Sequence, residues 1–105
     1  MSALDQLKLL TDWGSEPALT EDDLNSVLGK AAVKDAEGFA PQDEEWSETY
    51  DLNTAASAAW LIKAARAAAT VDEPTAGVVT SRIFENCRAM ARIYAAKRST
   101  SVSVR

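Results

Sequence analysis

The chain has 105 residues and a net charge of −5, a length that suits one domain with a modest core. It has no histidine and a single cysteine, which excludes histidine-based nucleophile pairs, cysteine-rich zinc sites and an internal disulfide. Residues 1–50 hold twelve acids and three bases and residues 51–105 hold four acids and eight bases, which indicates either two solvated faces or a head-to-tail contact between copies.

Two short amphipathic helices are predicted in the first third of the chain. Ser2 can cap the first helix, which we expect to end near Trp13, because Gly14 suits the position just after a helix end. Its apolar face holds Leu4, Leu7 and Leu10. Thr20 and Asp23 approximate a capping box at the start of the second helix. The apolar positions of that helix follow the helical period at Leu24, Val27, Leu28 and Ala31.

From about Asp35 to Tyr50 the sequence shows neither a helical nor a strand period. Gly38, Pro41 and several acids mark an irregular connection, which is long for a compact domain. Trp46 and Tyr50 are predicted to act as structural anchors that pin this connection onto the helices. The acids that follow the proline are Asp43, Glu44, Glu45 and Glu48.

An alanine-rich third helix is predicted after the connection. Asp51 or Asn53 can cap its start, and its many alanines favour helix as far as about Thr70. Trp60 is expected to anchor one face of this otherwise thin helix. The alanine-rich stretch is too short to span a bilayer and is interrupted by two bases.

The last helix is predicted to follow a loop over residues 71–79, which contain an acid, a proline and a glycine. Thr80 or Ser81 can cap this helix. Its core stripe is predicted at Ile83, Cys87, Met90, Ala91 and Tyr94. The bases that occupy its other faces and its end are Arg82, Arg88, Arg92, Lys97 and Arg98.

The sequence therefore predicts an all-α fold, a small bundle of about four helices with a long irregular connection and an extended C-terminal tail. Residues 1–98 form the single helical domain and residues 99–105 form the tail. Valines alternate with serines in the tail, so it is either a frayed terminus or a segment that orders on a partner's sheet edge or groove. The tail residues predicted to bind a partner are Ser99, Thr100, Ser101, Val102, Ser103, Val104 and Arg105.

The sequence lacks the motifs that are typical of catalytic and cofactor-binding sites. No glycine-rich phosphate or dinucleotide motif is present, and the adjacent acids Glu44 and Glu45 are better explained as solvated than as a catalytic pair. We therefore expect no enzyme activity, no cofactor and no metal site. The basic last helix could contact phosphates, which makes a small helical regulatory or nucleic-acid-binding protein the alternative. The overall acidity and the lack of interleaved aromatic residues oppose that alternative.

Several segments combine in a recognisable order over about residues 4–98. The helical pair contains Leu19–Leu24, and the acid-containing connection leads to Trp46. The longer segments that follow are Tyr50-Asp51-Leu52-Asn53-x-Ala55-Ala56-x-x-x-Trp60-x-x-Lys63-Ala64-Ala65, then Val71-Asp72 with Gly77, then a helix with Cys87, Met90-Ala91 and Tyr94. In order and spacing, these segments resemble the short head-tail connector, or adaptor, proteins of long-tailed bacteriophages.

The resemblance implies a structural virion protein without enzymatic activity. Such proteins form a ring of about twelve copies beneath the portal, extend the DNA channel and dock the stopper or tail-completion protein. Genomic DNA passes through without being read, and carboxylates in the lumen would repel its phosphates. The candidates for channel-facing acids are Asp43, Glu44, Glu45 and Glu48.

The resemblance also implies the partners and the location of the protein. Its expected partners are other copies of the chain, the portal protein, the stopper or tail-completion protein and the passing DNA, with no membrane involved. Residues 99–105 are the candidate segment for reaching a neighbouring ring. The expected location is the neck of the virion, after assembly in the host cytoplasm.

Overall fold

The computed structural model describes residues 2–69 and 74–97, with side chains for 2–69 and 82–97. The described residues form four helices and no strand, which confirms the all-α prediction. In chain order the helices are α1 (Ala3–Thr11), α2 (Glu21–Lys30), α3 (Leu52–Ala69) and α4 (Pro74–Lys97). The predicted tail, Ser99–Arg105, lies outside the described residues.

Local hydrogen bonds explain where the first three helices begin. The Ser2 hydroxyl accepts the N–H of Asp5 at 3.1 Å at the start of α1. At the start of α2, Thr20 accepts the N–H of Asp23 at 3.1 Å, and the Asp23 carboxylate accepts the N–H of Thr20 at 2.8 Å. This is a complete capping box. Asp51 caps α3, since its carboxylate accepts the N–H and the hydroxyl of Thr54 at 3.2 and 2.8 Å.

The end of α1 differs from the prediction. The helix ends at Thr11 and not near Trp13, because Asp12 adopts the left-handed conformation with φ 48°. Aspartate tolerates this conformation better than most residues, so Asp12 takes the place predicted for Gly14. The helix end is also held by Lys63 of α3, which donates to the carbonyls of Thr11 and Asp12. These residues lie far apart in the chain, so no local sequence pattern predicts the contact.

The start of α4 also differs from the prediction. The helix begins at Pro74, so the loop predicted over residues 71–79 is wrong from that residue onward. Thr80 and Ser81 lie inside the helix and do not cap it. Proline suits the first turn, because its fixed φ is helical and its missing N–H costs no hydrogen bond there. Packing of α4 along α3 outweighs the weak helix propensity of the glycine and valines that follow.

Two clusters of buried side chains form the core. The larger cluster joins α1, α2 and α3 and contains Leu7, Leu19, Leu24, Val27, Leu28, Ala31, Ala55, Ala56 and Ala59. The smaller cluster lies between α3 and α4 and contains Trp60, Ala64, Cys87 and Ala91. Tyr94 packs against both clusters, and the hydroxyl of Ser57 donates to the carbonyl of Ala91 at 2.9 Å. The predicted stripe of α4 is thus the face that packs on α3.

Candidate functional site

The connection between α2 and α3, residues 32–50, is organised by the carboxylate of Asp35. Its Oδ1 accepts the N–H groups of Glu37 and Phe39, both at 2.9 Å, and its Oδ2 accepts the N–H of Ser47 at 2.8 Å. The Ser47 N–H is the largest cause of a lowered pKa at Asp35, which burial opposes and the other two amides reinforce. One ionised side chain therefore ties together two parts of an irregular segment.

Trp46 joins the two ends of the connection. Ala32 and Tyr50 form an isolated antiparallel bridge, and the N–H of Val33 donates to the carbonyl of Thr49 at 2.9 Å. The Trp46 indole N–H donates to the Val33 carbonyl at 2.8 Å. Its ring meets the Tyr50 ring edge to face, with centroids 5.8 Å apart and planes at 88°. The two aromatic residues predicted as anchors thus lie against each other at the base of the connection.

The four acids predicted to face a channel are all exposed on the connection. Asp43 has a local role as well, since its carboxylate accepts the N–H of Ala40 at 2.9 Å. Glu44, Glu45 and Glu48 accept no hydrogen bond from the described part of the chain. Among the described residues, no cation lies within ion-pair distance of any of the four. Their negative charges are therefore not neutralised by ion pairs within the described part of the chain.

Three side chains of α3 at a spacing of three residues bind the end of α1, the segment that joins α1 to α2, and the start of α2. We call Trp60, Lys63 and Arg66 the α3 clamp. Trp60, predicted as an anchor, is 6% exposed and packs in the smaller core cluster. Its indole N–H donates to the carbonyl of Leu10 at 3.1 Å. This residue thus connects α3 both to α4 through packing and to α1 through a hydrogen bond.

Lys63 is the most buried charged residue of the clamp, at 1% exposure. Its ammonium donates to the carbonyls of Thr11 at 3.1 Å, Asp12 at 2.7 Å and Ser15 at 3.2 Å. It also lies 4.7 Å from the centroid of the Trp60 ring, a favourable cation–π distance. Burial lowers the pKa of Lys63, and neighbouring anionic groups partly offset that shift. All three ammonium protons therefore have acceptors in the fold.

Arg66 joins the clamp to the start of α2. Its guanidinium binds both carboxylate oxygens of Asp23, at 2.6 and 3.0 Å, and donates to the carbonyl of Ala18 at 3.1 Å. This bidentate contact is the largest cause that holds the pKa of Asp23 far below its usual range, and the N–H of Thr20 is the next. Asp23 therefore caps α2 and anchors α3 with the same carboxylate.

A cleft of about 260 Å³ opens beside the clamp. Its lining includes two acids, Asp12 and Glu16, the base Arg82, and Lys63 with Cys87. Burial raises the pKa of the Cys87 thiol, although the nearby Lys63 opposes that shift. A protonated thiol and a fully hydrogen-bonded ammonium are poor nucleophiles. This arrangement indicates a structural use of both groups.

The charge division predicted from sequence is present in the described structure. Residues 2–69 carry thirteen acids and five bases, whereas α4 carries one acid and four bases. Two of the bases stack on aromatic rings, Arg88 at 5.8 Å from the Phe84 centroid and Lys97 at 5.3 Å from the Tyr94 centroid. No carboxylate in the described part of the chain forms an ion pair with Arg82, Arg88, Arg92 or Lys97.

Three residues that hold this region together were not predicted from the sequence. They are Asp35, Lys63 and Arg66. The pattern Asp35-Ala-Glu-Gly38 is typical of a turn closed by an aspartate side chain, so it could have indicated the role of Asp35. The regular spacing from Trp60 to Lys63 to Arg66 places all three on neighbouring turns of one helix, but nothing local identifies their distant carbonyl acceptors.

Comparison with known protein families, with curated proteins and with solved structures finds no match to this chain. None of the described helices is long and apolar enough to cross a membrane. Within residues 2–69 and 74–97, no three histidine, cysteine or acidic side chains are grouped so that they could hold a metal ion.

Proposed function

We propose that this chain is a structural subunit of a phage head-tail connector, which forms a ring of copies beneath the portal. The ring extends the DNA channel and docks the stopper or tail-completion protein. The observation that carries the proposal is the ordered connection between α2 and α3. Asp35 and Trp46 hydrogen-bond its two ends together, and it presents to solvent acids that form no ion pair within the described residues.

Fixed, unpaired carboxylates suit the wall of a DNA channel. Duplex DNA carries about one negative charge per 1.7 Å of its axis, so acids on the wall repel it and prevent adhesion. Screening limits this repulsion to about 10 Å at ordinary salt. We therefore place Glu44, Glu45 and Glu48 at the lumen or its rim in the proposed ring.

The interior of the protein agrees with a structural role. Every buried side-chain nitrogen or oxygen in the described residues has a hydrogen-bond partner. Lys63, a buried cation, donates its protons to main-chain carbonyls. Buried polar groups are thus used to hold helices together, and the remaining charges lie on the surface where partners can bind.

The proposal is tested by cryo-electron microscopy of virions, or of this protein mixed with the portal protein of the same phage. We expect a ring of copies coaxial with the portal, with the connection between α2 and α3 facing the channel. Portal particles that carry no density for this chain would overturn the proposal. A ring whose connection faces outward would leave the connector role but remove the channel role of the acids.

The C-terminal tail is proposed as the segment that reaches a neighbouring ring. Deletion of Ser99–Arg105 is expected to leave the helical circular-dichroism spectrum of the isolated protein unchanged. In phage, the same deletion is expected to reduce the attachment of portal or tail, seen as unjoined heads and tails. Normal yields of joined, infectious particles would contradict this role.

A second candidate function is supported by α4. Its exposed bases, which lack described carboxylate partners, could bind nucleic-acid phosphates. The net charge of −5 opposes this candidate, since it repels nucleic acid at long range. Duplex DNA binding by the isolated protein at low salt, lost at high salt and weakened by Arg88→Gln with Arg92→Gln, would favour it over the connector proposal.

A further inference from the structure

Two large apolar side chains are exposed on two helices that do not contact each other in the described part of the structure. Leu9 of α1 is 70% exposed and Ile93 of α4 is 46% exposed. In the described fold α1 packs on α2 and α3, whereas α4 packs on α3. Single exposed apolar residues are common and need no explanation by themselves. The charges around these two residues make them informative.

Leu9 lies between two acids on the outer side of α1. Asp5 is four residues before it on the same face of the helix, and Asp12 follows the last residue of the helix, three residues after Leu9. Asp5 and Asp12 are exposed. Neither forms an ion pair with a described cation. We call Asp5, Leu9 and Asp12 the acidic face of α1.

Ile93 lies between bases on the outer side of α4. Lys97 is four residues after it, Arg92 is next to it, and both are exposed without a carboxylate partner among the described residues. Ala89, four residues before Ile93, is small and leaves room for another helix to approach. We call Ala89, Arg92, Ile93 and Lys97 the basic face of α4.

We infer that the acidic face of α1 in one copy docks on the basic face of α4 in a second copy, with Leu9 against Ile93. The helix rise of about 1.5 Å per residue separates Asp5 from Leu9, and Ile93 from Lys97, by about 6 Å in both cases. An antiparallel crossing therefore brings Asp5 to Lys97 when the two apolar side chains meet. At the other end of the same contact, Asp12 of the first copy lies beside Ala89 of the second.

Charge identifies the occupant as a second copy in a head-to-tail contact. Two acidic faces would repel each other, as would two basic faces, so neither face can pair with its own equivalent. Every copy carries one face of each kind, so the contact can repeat from copy to copy. This inference rests on the proposed function for its assembly, and it names the surfaces that would form it.

Disulfide capture tests the contact in the isolated protein. All chains carry Cys87→Ala, and Leu9→Cys and Ile93→Cys variants are mixed in equal amounts with oxidised glutathione. We expect cross-linked dimer in the mixture at about ten times the yield from either variant alone. The matched control is Leu61→Cys, since Leu61 is 52% exposed on α3, and its mixture with Leu9→Cys should not exceed the single variants.

Charge reversal gives an independent measurement by analytical ultracentrifugation. Asp5→Lys and Lys97→Asp are each expected to weaken self-association about tenfold, and an equal mixture of the two should restore it, since each reversed face then meets its complement. Circular dichroism checks that both variants fold, and Asp5→Asn is the milder substitute if Asp5→Lys does not. High salt should weaken the contact of the unmodified protein.

Some results would overturn the inference. They are equal cross-linking of Leu9→Cys alone and in the mixture, no cross-linking in the mixture, or no recovery when the two charge variants are mixed. These results are separable from a failure of the proposed function. Cross-linking without a portal-bound ring would overturn the connector proposal and leave this contact, whereas a portal-bound ring without cross-linking would do the reverse.

Discussion

Lys63 is a buried cation whose ammonium bonds main-chain oxygens instead of a carboxylate. The last carbonyls of α1 accept no hydrogen bond from within that helix, and they form the negative end of its dipole. Lys63 donates to two of them and to the carbonyl of Ser15 beyond. An ammonium has three donors, so this geometry leaves none unused.

Replacement of Lys63 by methionine, which preserves much of the volume, is expected to lower the free energy of unfolding by about 1–2 kcal/mol. The carbonyl of Thr11, a fully buried residue, loses its partner, while Asp12 and Ser15 are exposed enough for water to replace the lysine. Urea denaturation measures the change. The matched control Lys97→Met, at an exposed position of α4, should change the free energy little. Equal stability of both variants would contradict the role given to Lys63.

Asp35 is expected to make stability depend on acid pH. Its pKa in the folded protein is lowered from 3.8, so the unfolded chain takes up the proton first as the pH falls. The stabilisation is therefore complete above that ordinary pKa and is lost as the pH falls through the lower folded pKa. Asp35→Asn should be less stable than the parent near neutral pH, and the two urea midpoints should converge in acid.

The control for this pH dependence is Glu37→Gln. The Glu37 side chain accepts no hydrogen bond from the described residues, although its N–H donates to Asp35. The urea midpoint of Glu37→Gln should follow that of the parent protein over the same pH range. A constant difference between Asp35→Asn and the parent at every pH would show that ionisation of Asp35 does not stabilise the fold.

The residue contacts that sequence could predict are those between near neighbours. Ser2 and Thr20 were predicted as caps, and each bonds an N–H three residues away. Lys63 bonds the Thr11 carbonyl across 52 residues, and Asp35 bonds Ser47 across 12. Such partners depend on how the helices pack, which hydrophobic periodicity does not specify. The acids of the connection were predicted as exposed, but the carboxylate that shapes it was not.

At the level of elements, two glycines are expected to respond in opposite ways to alanine. Gly29 lies in α2, and a methyl group there meets nothing within 4 Å, so Gly29→Ala should raise the free energy of unfolding by about 0.5–1 kcal/mol. Gly38 has φ 89°, so Gly38→Ala should lower it by about 1–2 kcal/mol. Thermal denaturation of both variants measures the changes. Changes of the same sign would contradict this account.

Helix type was more predictable than helix limits. The apolar spacing from Leu24 to Ala31 predicted α2, and packing of those residues in the core agrees with it. The predicted end of α1 and the predicted start of α4 were both wrong. The left-handed Asp12 ends α1 earlier than the sequence pattern indicated, and Lys63 of α3 binds the carbonyls there. At α4 the local residues favoured a loop, but the helix packs along α3 and begins at Pro74.

At the level of the whole molecule, the division of charge was readable from the sequence. Acids dominate residues 2–69 and bases dominate α4. The sequence did not show which charges remain without partners. Asp23 and Arg66 neutralise each other, and Glu21 pairs with Lys8 at 2.7 Å. The acids of the connection and the bases of α4 have no such pairs in the described structure.

Neutralisation of the connection is expected to affect DNA passage and not folding. The triple variant Glu44→Gln, Glu45→Gln, Glu48→Gln removes three exposed charges, so its urea midpoint should stay close to that of the parent. In phage, weaker repulsion of phosphates should slow DNA ejection. The control is Glu37→Gln, in the same connection. Equal ejection rates for the triple variant and the parent would contradict a channel position for these acids.

The α3 clamp has a consequence for how this sequence can evolve. Trp60 and Lys63 bind oxygens of the main chain at Leu10, Thr11, Asp12 and Ser15. Every amino acid has a main-chain carbonyl oxygen, so these contacts depend on the identity of Trp60 and Lys63 and not on the side chains of the residues they bind. Exposed residues of the segment between α1 and α2, such as Ser15 and Glu16, are therefore free to change, whereas Leu19 is retained by its place in the core.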